Sequence, residues 1–127
     1  MNYGFSKTVS MPYEKVIEKV TAELKKEGFG ILTSIDIKDT LKKKIDVDFK
    51  RYVILGACNP GLAYQALQAV EDIGLLLPCN VIVYEKGDET IVSIFNPNVM
   101  TKIVDNDSLK KIAELVKEKL VRVFEAV

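Results

Sequence analysis

The chain has 127 residues, enough for one domain with a buried core, and no stretch reads as a linker, a repeat or a low-complexity segment. With 48% hydrophobic residues, 28% charged residues and a formal net charge of zero, it has the balance of a soluble globular protein. That balance excludes a general nucleic-acid binder, which needs a basic excess to neutralise phosphates. The absence of histidine excludes Ser-His and Cys-His catalytic pairs within the chain, along with the commonest zinc ligand.

Tyr3, Phe5 and Val9 fall on odd positions of NYGFSKTVS, the alternation of a half-buried first strand. Ser10 is the expected cap of a helix with Pro12 in its first turn. Tyr13, Val16, Ile17, Val20 and Leu24 make one apolar stripe along that helix, and Gly28 ends it. Phe29 to Ile35 reads as a second strand. IKDTLKKKIDV is a short helix, with Ile37, Leu41 and Ile45 recurring every fourth residue. The continuous apolar run RYVILGAC predicts a strand that is central in the sheet or buried on both faces.

Asn59 then serves as N-cap and Pro60 as the first helical residue. Leu62, Ala63, Ala66, Leu67 and Val70 form the apolar face, and Gly74 closes the segment. Val81 to Glu85 and Thr90 to Phe95 are two strands flanking the hairpin signal Lys86-Gly87-Asp88. NPNVMTKIVDN reads as a loop. The last helix, capped by Asp107 or Ser108, carries Leu109, Ile112, Leu115, Val116, Leu120, Val123 and Phe124 on one face. Core packing accounts for most of that stripe, and a dimer interface is its second use. The order β-α-β-(α)-β-(α)-β-β-α, with helices apolar on one side only, predicts an α+β two-layer sandwich: a mostly antiparallel sheet with helices on one face, over residues 1–127 as a single domain.

No segment approaches the roughly 18 apolar residues of a membrane span, and MNYGFSKTVS lacks the apolar core of an export signal. Two cysteines do not make a disulfide framework, so a cytoplasmic location with reduced thiols is expected. GACNPG lacks the Lys-Ser/Thr of a phosphate loop and the spacing of a dinucleotide fingerprint, and no cofactor is expected. No catalytic motif is recognisable. An enzyme built on this chain would rest on Cys58, a lysine or a carboxylate.

The residues that point to chemistry lie in two short segments, Gly56–Pro60 and Pro78–Asn80. Cys58 stands one residue outside a helix N-terminus, where free N–H groups and the helix dipole favour a thiolate and can move a thiol pKa from about 8.5 toward 7. The plainer reading is a small hydrophobe at the end of a buried strand. If the strands of Cys58 and Cys79 are antiparallel, both thiols come to the same rim of the sheet. Any metal there would have to use Cys58 and Cys79, an incomplete zinc set in one chain. Asn59 and Asn80 serve turns and caps in the bland reading, and line a ligand rim in the sharper one.

GACNP and LLLPCNV, within RYVILGACNPGLAYQALQAVEDIGLLLPCNVIVYEKGDETIVSIFNP, resemble the family called domain of unknown function 302, and the likeness extends over nearly the whole chain. The family's motif positions fall here on Gly56, Cys58, Asn59, Pro60, Leu77, Pro78, Cys79 and Asn80. The resemblance implies a small domain with a curved antiparallel sheet like that of the TATA-binding-protein fold. It also implies a homodimer, and it supplies no activity. Three readings follow. The leading one is a non-enzymatic dimeric module that binds a small ligand or anion with Cys58, Asn59, Pro60, Cys79 and Asn80. The second is a thiol protein: a redox switch, sulfur carrier or soft-metal holder using Cys58 with Cys79. The third is a structural or regulatory partner protein with no small-molecule site. None involves a membrane or a nucleic acid.

Overall fold

The structure is a computed structural model that describes residues 1–127. Its elements in chain order are β1 (Gly4–Val9), α1 (Tyr13–Lys26), β2 (Gly30–Asp36), α2 (Ile37–Ile45), β3 (Tyr52–Cys58), α3 (Pro60–Ala69), a 3-10 turn (Glu71–Leu76), β4 (Cys79–Lys86), β5 (Glu89–Phe95), α4 (Asn98–Ile103) and α5 (Asp107–Ala126). The strands form one sheet in the order β1-β5-β4-β3-β2, with every neighbouring pair antiparallel. The expected α+β architecture, with an open antiparallel sheet and helices packed on one side, is the one the chain adopts.

The pleat sorts the side chains. Val53, Leu55 and Ala57 of β3, Cys79, Val81 and Val83 of β4, and Val92 and Ile94 of β5 point to the helix side and are buried. Against them pack Val16, Val20 and Leu24 of α1 and Leu109, Ile112, Ala113, Val116, Leu120 and Val123 of α5. Each fully buried aliphatic side chain is worth roughly 1.5–3 kcal/mol, so this layer supplies most of the folding energy. The α5 stripe is spent here: Val123 is buried, and Phe124 packs on the Phe5 ring at 6.1 Å with Lys7 over its face. Of the α5 stripe, Leu115 stays 47% exposed, outside the core. The other face of β3 carries Tyr52 and Ile54, which are only half-buried, so the apolar run at 51–58 is enclosed on one side and not on both.

Several boundaries differ from expectation for identifiable reasons. Pro12, extended at φ −58° and ψ 151°, takes the cap position of α1, and Ser10 lies in the preceding bend. Asn106, not Asp107 or Ser108, caps α5: its Oδ1 accepts from Leu109 N at 2.9 Å. The helix after Asn59 stops at Ala69, because Val70 is extended, and Gly74 falls inside the 3-10 turn. NPNVMTKI holds a short helix, α4, because Asn96 Oδ1 accepts from Asn98 N and Met100 is drawn into the core. α2 forms where its spacing predicts but buries none of its side chains. Gly28, at φ +86°, ends α1, and Gly87, at φ +61°, makes the β4–β5 turn. No helix is long and apolar enough to cross a membrane.

The chain's two arginines fasten α1 at both ends. Arg51, just before β3, holds Glu85 with Nε–Oε1 at 2.9 Å and Nη2–Oε2 at 2.6 Å, and its Nη1 also reaches Glu14 in the first turn of α1. Its guanidinium lies 4.8 Å from the Tyr13 ring centroid. Arg122 of α5 holds Glu27 at the C-cap of α1, with contacts of 3.1 and 2.9 Å. Such bidentate pairs are directional and orient the helix more than they stabilise it. The arginines keep the Glu85 and Glu27 carboxyls below their ordinary value of 4.5. A depressed carboxyl pKa adds stability that is present above 4.5 and lost as pH falls through the folded value. Thermal unfolding from pH 7 to pH 3 checks this. The melting temperature should fall with acid, and the fall should be shallower in the Arg51→Gln, Arg122→Gln double variant, which starts from a lower value at pH 7.

Candidate functional site

At the end of the sheet where β3 finishes and β4 begins, the helix layer does not close. A cavity of about 370 Å³ lies there between the sheet, α3 and α5, within the range of small-molecule sites. Ala57 and Cys79 form its floor, Leu62, Ala63 and Ala66 its α3 wall, Ile112 and Val116 of α5 the opposite wall, and Met100 closes one side. Thirteen of its 17 lining residues are hydrophobic, and no charged side chain is among them. The space exists because the facing positions are small: Ala57, Ala63, Ala66 and Gly74 stand where a packed seam would carry larger side chains.

The mouth is built by two backbone devices. In β2 the register slips between Ile31 and Thr33, and the extra residue of this bulge, Leu32, is turned to the cavity mouth, 66% exposed. In β3, Gly56 lets Thr33 and Pro78 close over the backbone. A Cβ at Gly56 would run into Thr33 Oγ1 and lie 2.9 Å from Pro78 Cγ.

Asn59 borders the cavity but is committed to the fold. Its Oδ1 accepts from Leu62 N at 3.2 Å, capping α3, and its Nδ2 donates to Glu27 O at the end of α1 at 3.4 Å. Asn106 repeats the arrangement, capping α5 with Oδ1 and donating Nδ2 to Ala69 O at the end of α3. Asn59 thus ties the start of α3 to the end of α1, and Asn106 ties the start of α5 to the end of α3. Little is left at the α3 N-terminus for an anion. Pro60 has no N–H, Leu62 N is taken by the cap, and Ala63 N donates to Asn59 O at 2.8 Å.

The two cysteines do not form a pair. Their strands are antiparallel and their ends share a rim, but the ladder sets Cys79 against Ala57, not against Cys58. Cys58 is therefore offset by one residue from Cys79, at the strand end that borders the cavity mouth. Both are free. Cys79 is buried in the cavity floor, and that burial pushes its thiol up to about 11, so it is a neutral, weak nucleophile near pH 7. Cys58 is half-buried at the mouth. No group of three or more His, Cys, Asp or Glu side chains is arranged to hold a metal ion, so neither cysteine has the further donors a soft metal would need.

Of the residues singled out in the sequence, Cys58, Asn59 and Cys79 border the cavity. Pro60 does not line it, and Asn80, opposite Gly56 in the ladder, is exposed on the sheet face away from the helices. Leu32, Ala63, Leu67, Ile112 and Val116 complete the site and were not singled out for it. The helix residues read as ordinary core face; a signal was present in the concentration of alanine and glycine between residues 56 and 74.

The family model described as Domain of unknown function DUF302 matches residues 5–127. The chain is similar to a solved structure, the crystal structure of an uncharacterized conserved protein DUF302 from Bacillus stearothermophilus, with 28% sequence identity and a TM-score of 0.91 over 99% of this chain and 98% of that one. No curated protein matches it. On the family match across the chain and the agreement of the whole fold, the protein belongs to the DUF302 family.

Proposed function

We propose that this domain binds a small, uncharged, mainly apolar molecule in the cavity between β3, β4, α3 and α5. The observation that carries this reading is the lining itself: about 370 Å³ of space bounded by hydrophobic side chains, with no carboxylate, amine or guanidinium. A charged ligand would lose its hydration there and gain no partner. The two polar side chains at the wall are Thr33 and Asn59, and the amide of Asn59 is already used on both sides. Exposed Leu32 and Leu67 extend the apolar surface outward, giving such a molecule a path in from water. The lining holds no general acid or base in a position to exchange protons, which favours binding over acid-base catalysis. A redox dithiol is disfavoured because Cys79 is set against Ala57 in the ladder, not against Cys58, and is buried with its thiol pushed up to about 11.

Two experiments test the reading. Titration with the neutral fluorophore N-phenyl-1-naphthylamine should give saturable, one-site enhancement with a dissociation constant on the order of 1–100 µM, as expected for a ligand of this size in an apolar pocket. Ala63→Leu, which fills the α3 wall, should weaken binding at least about tenfold while keeping the native circular dichroism spectrum. Binding that is absent, or that Ala63→Leu leaves unchanged, contradicts the reading. The second experiment is alkylation with N-ethylmaleimide at pH 7, followed by mass spectrometry. Cys58 should be modified at least about 100 times faster than Cys79, since Cys79 is both buried and a poor thiolate former. Saturating fluorophore should slow Cys58 without exposing Cys79. Equal rates at the two cysteines in the native protein would show that the cavity floor is not closed.

A further inference from the structure

Sulfur is concentrated in the cavity lining. The chain has two cysteines and three methionines, and Cys58, Cys79 and Met100 are all among the 17 lining residues. Cys79 lies in the floor and Met100 at one side, 6% and 3% exposed, so both side chains are dry. In the floor, sulfur is the whole of the Cys79 side chain beyond Cβ. Burial keeps that thiol protonated near pH 7, with its pKa pushed up to about 11. Phe29, itself buried, is the lining's one aromatic residue. We infer that the cavity takes a flat aromatic ring, held by sulfur contacts, in preference to a saturated molecule; this rests on the cavity being a binding site, as proposed above, and names its ligand class.

The chemistry of the lining selects that class. Neutral sulfur is polarisable and meets an aromatic ring favourably, each contact being worth roughly a two- to tenfold gain in affinity. A saturated molecule gains only ordinary dispersion from the same atoms. Met100 is unbranched and adapts to the outline of a ring, and Phe29 offers an aromatic surface for tilted or offset packing. The walls favour a thin molecule as well. Ala57 stands beside Cys79 in the ladder, and Ala63 and Ala66 line the α3 wall, so short side chains bound the space on both sides. A planar ring lies between such walls with both faces in contact. A saturated ring of the same carbon number is thicker and carries axial hydrogens toward them. The sulfurs do not gather around a single soft ion: Cys79 is set against Ala57 and not against Cys58, which stands at the mouth.

Displacement of N-phenyl-1-naphthylamine by phenylpropanol and by cyclohexylpropanol, each with its hydroxyl at the end of the propyl chain, tests the inference. The two differ only in the ring. The saturated one has the larger apolar surface, so hydrophobic transfer alone favours it. Phenylpropanol should nevertheless displace the fluorophore at a concentration at least about threefold lower. Met100→Leu, a swap of similar volume, should reduce that preference at least about twofold, and adding Cys79→Ala should abolish it, with the native circular dichroism spectrum retained. If the double variant does not fold, the loss in Met100→Leu decides. Absence of fluorophore binding removes the cavity reading and this inference together. Fluorophore binding with cyclohexylpropanol displacing as well as phenylpropanol, or better, overturns the aromatic assignment and leaves the cavity reading standing. So does a preference that the variants keep in full, because sulfur is then not its cause.

Discussion

The pleat of the β3–β4 ladder, with Ala57 set against Cys79, governs the rest of the molecule. With that register, Val53, Leu55, Ala57, Val81 and Val83 face the helices, while Tyr52, Ile54, Ile82 and Tyr84 face away. A slip of one residue would reverse every one of these assignments. The register also separates the cysteines: one thiol belongs to the floor of the cavity and the other to its mouth. Gly56 sustains the arrangement at the point where β2 and Pro78 crowd β3 most closely. The apolar run of β3 therefore has two explanations, one for each face. Its inward residues make the core, and its outward residues make a surface that water does not favour.

The cavity is a consequence of how the helices are joined as much as of what lines them. Asn59 and Asn106 each cap a helix start with the side-chain oxygen and hold the end of another long helix with the nitrogen, linking α1 to α3 and α3 to α5. Arg122 and Arg51 grip the two ends of α1. With the helices positioned by polar contacts at their ends, the alanines between α3 and the sheet need not meet larger partners, and space remains beneath them. A layer held only by its apolar contacts would close such a gap.

Much of this was legible in the sequence. Alternation in NYGFSKTVS, the stripe of α1, Asn59-Pro60 as a helix start and Gly87 as a hairpin turn act through local chemistry, and each stands where it was read. Ser10 misled because a proline two residues later takes the cap position with its own fixed backbone. Asp107 misled because Asn106, one residue earlier, could cap the helix and also reach Ala69. The α5 stripe looked long enough to serve a partner as well as the core, and the core takes all of it but Leu115, which stays exposed. The cavity was legible only in part. Cys58 and Cys79 marked its position, but a residue such as Ala66 or Ile112 looks the same whether its neighbour is another side chain or an empty space. The offset of the two thiols depended on a register between strands separated by twenty residues, which no local pattern encodes.

The most direct test of the account is a methyl-labelled NMR titration with N-phenyl-1-naphthylamine. A molecule seated in the cavity should shift Leu62, Leu67, Ile112 and Val116 and leave Ile54, Ile82 and Ile91, on the opposite sheet face, unmoved. Shifts confined to those three isoleucines, or spread evenly over both faces, would contradict it.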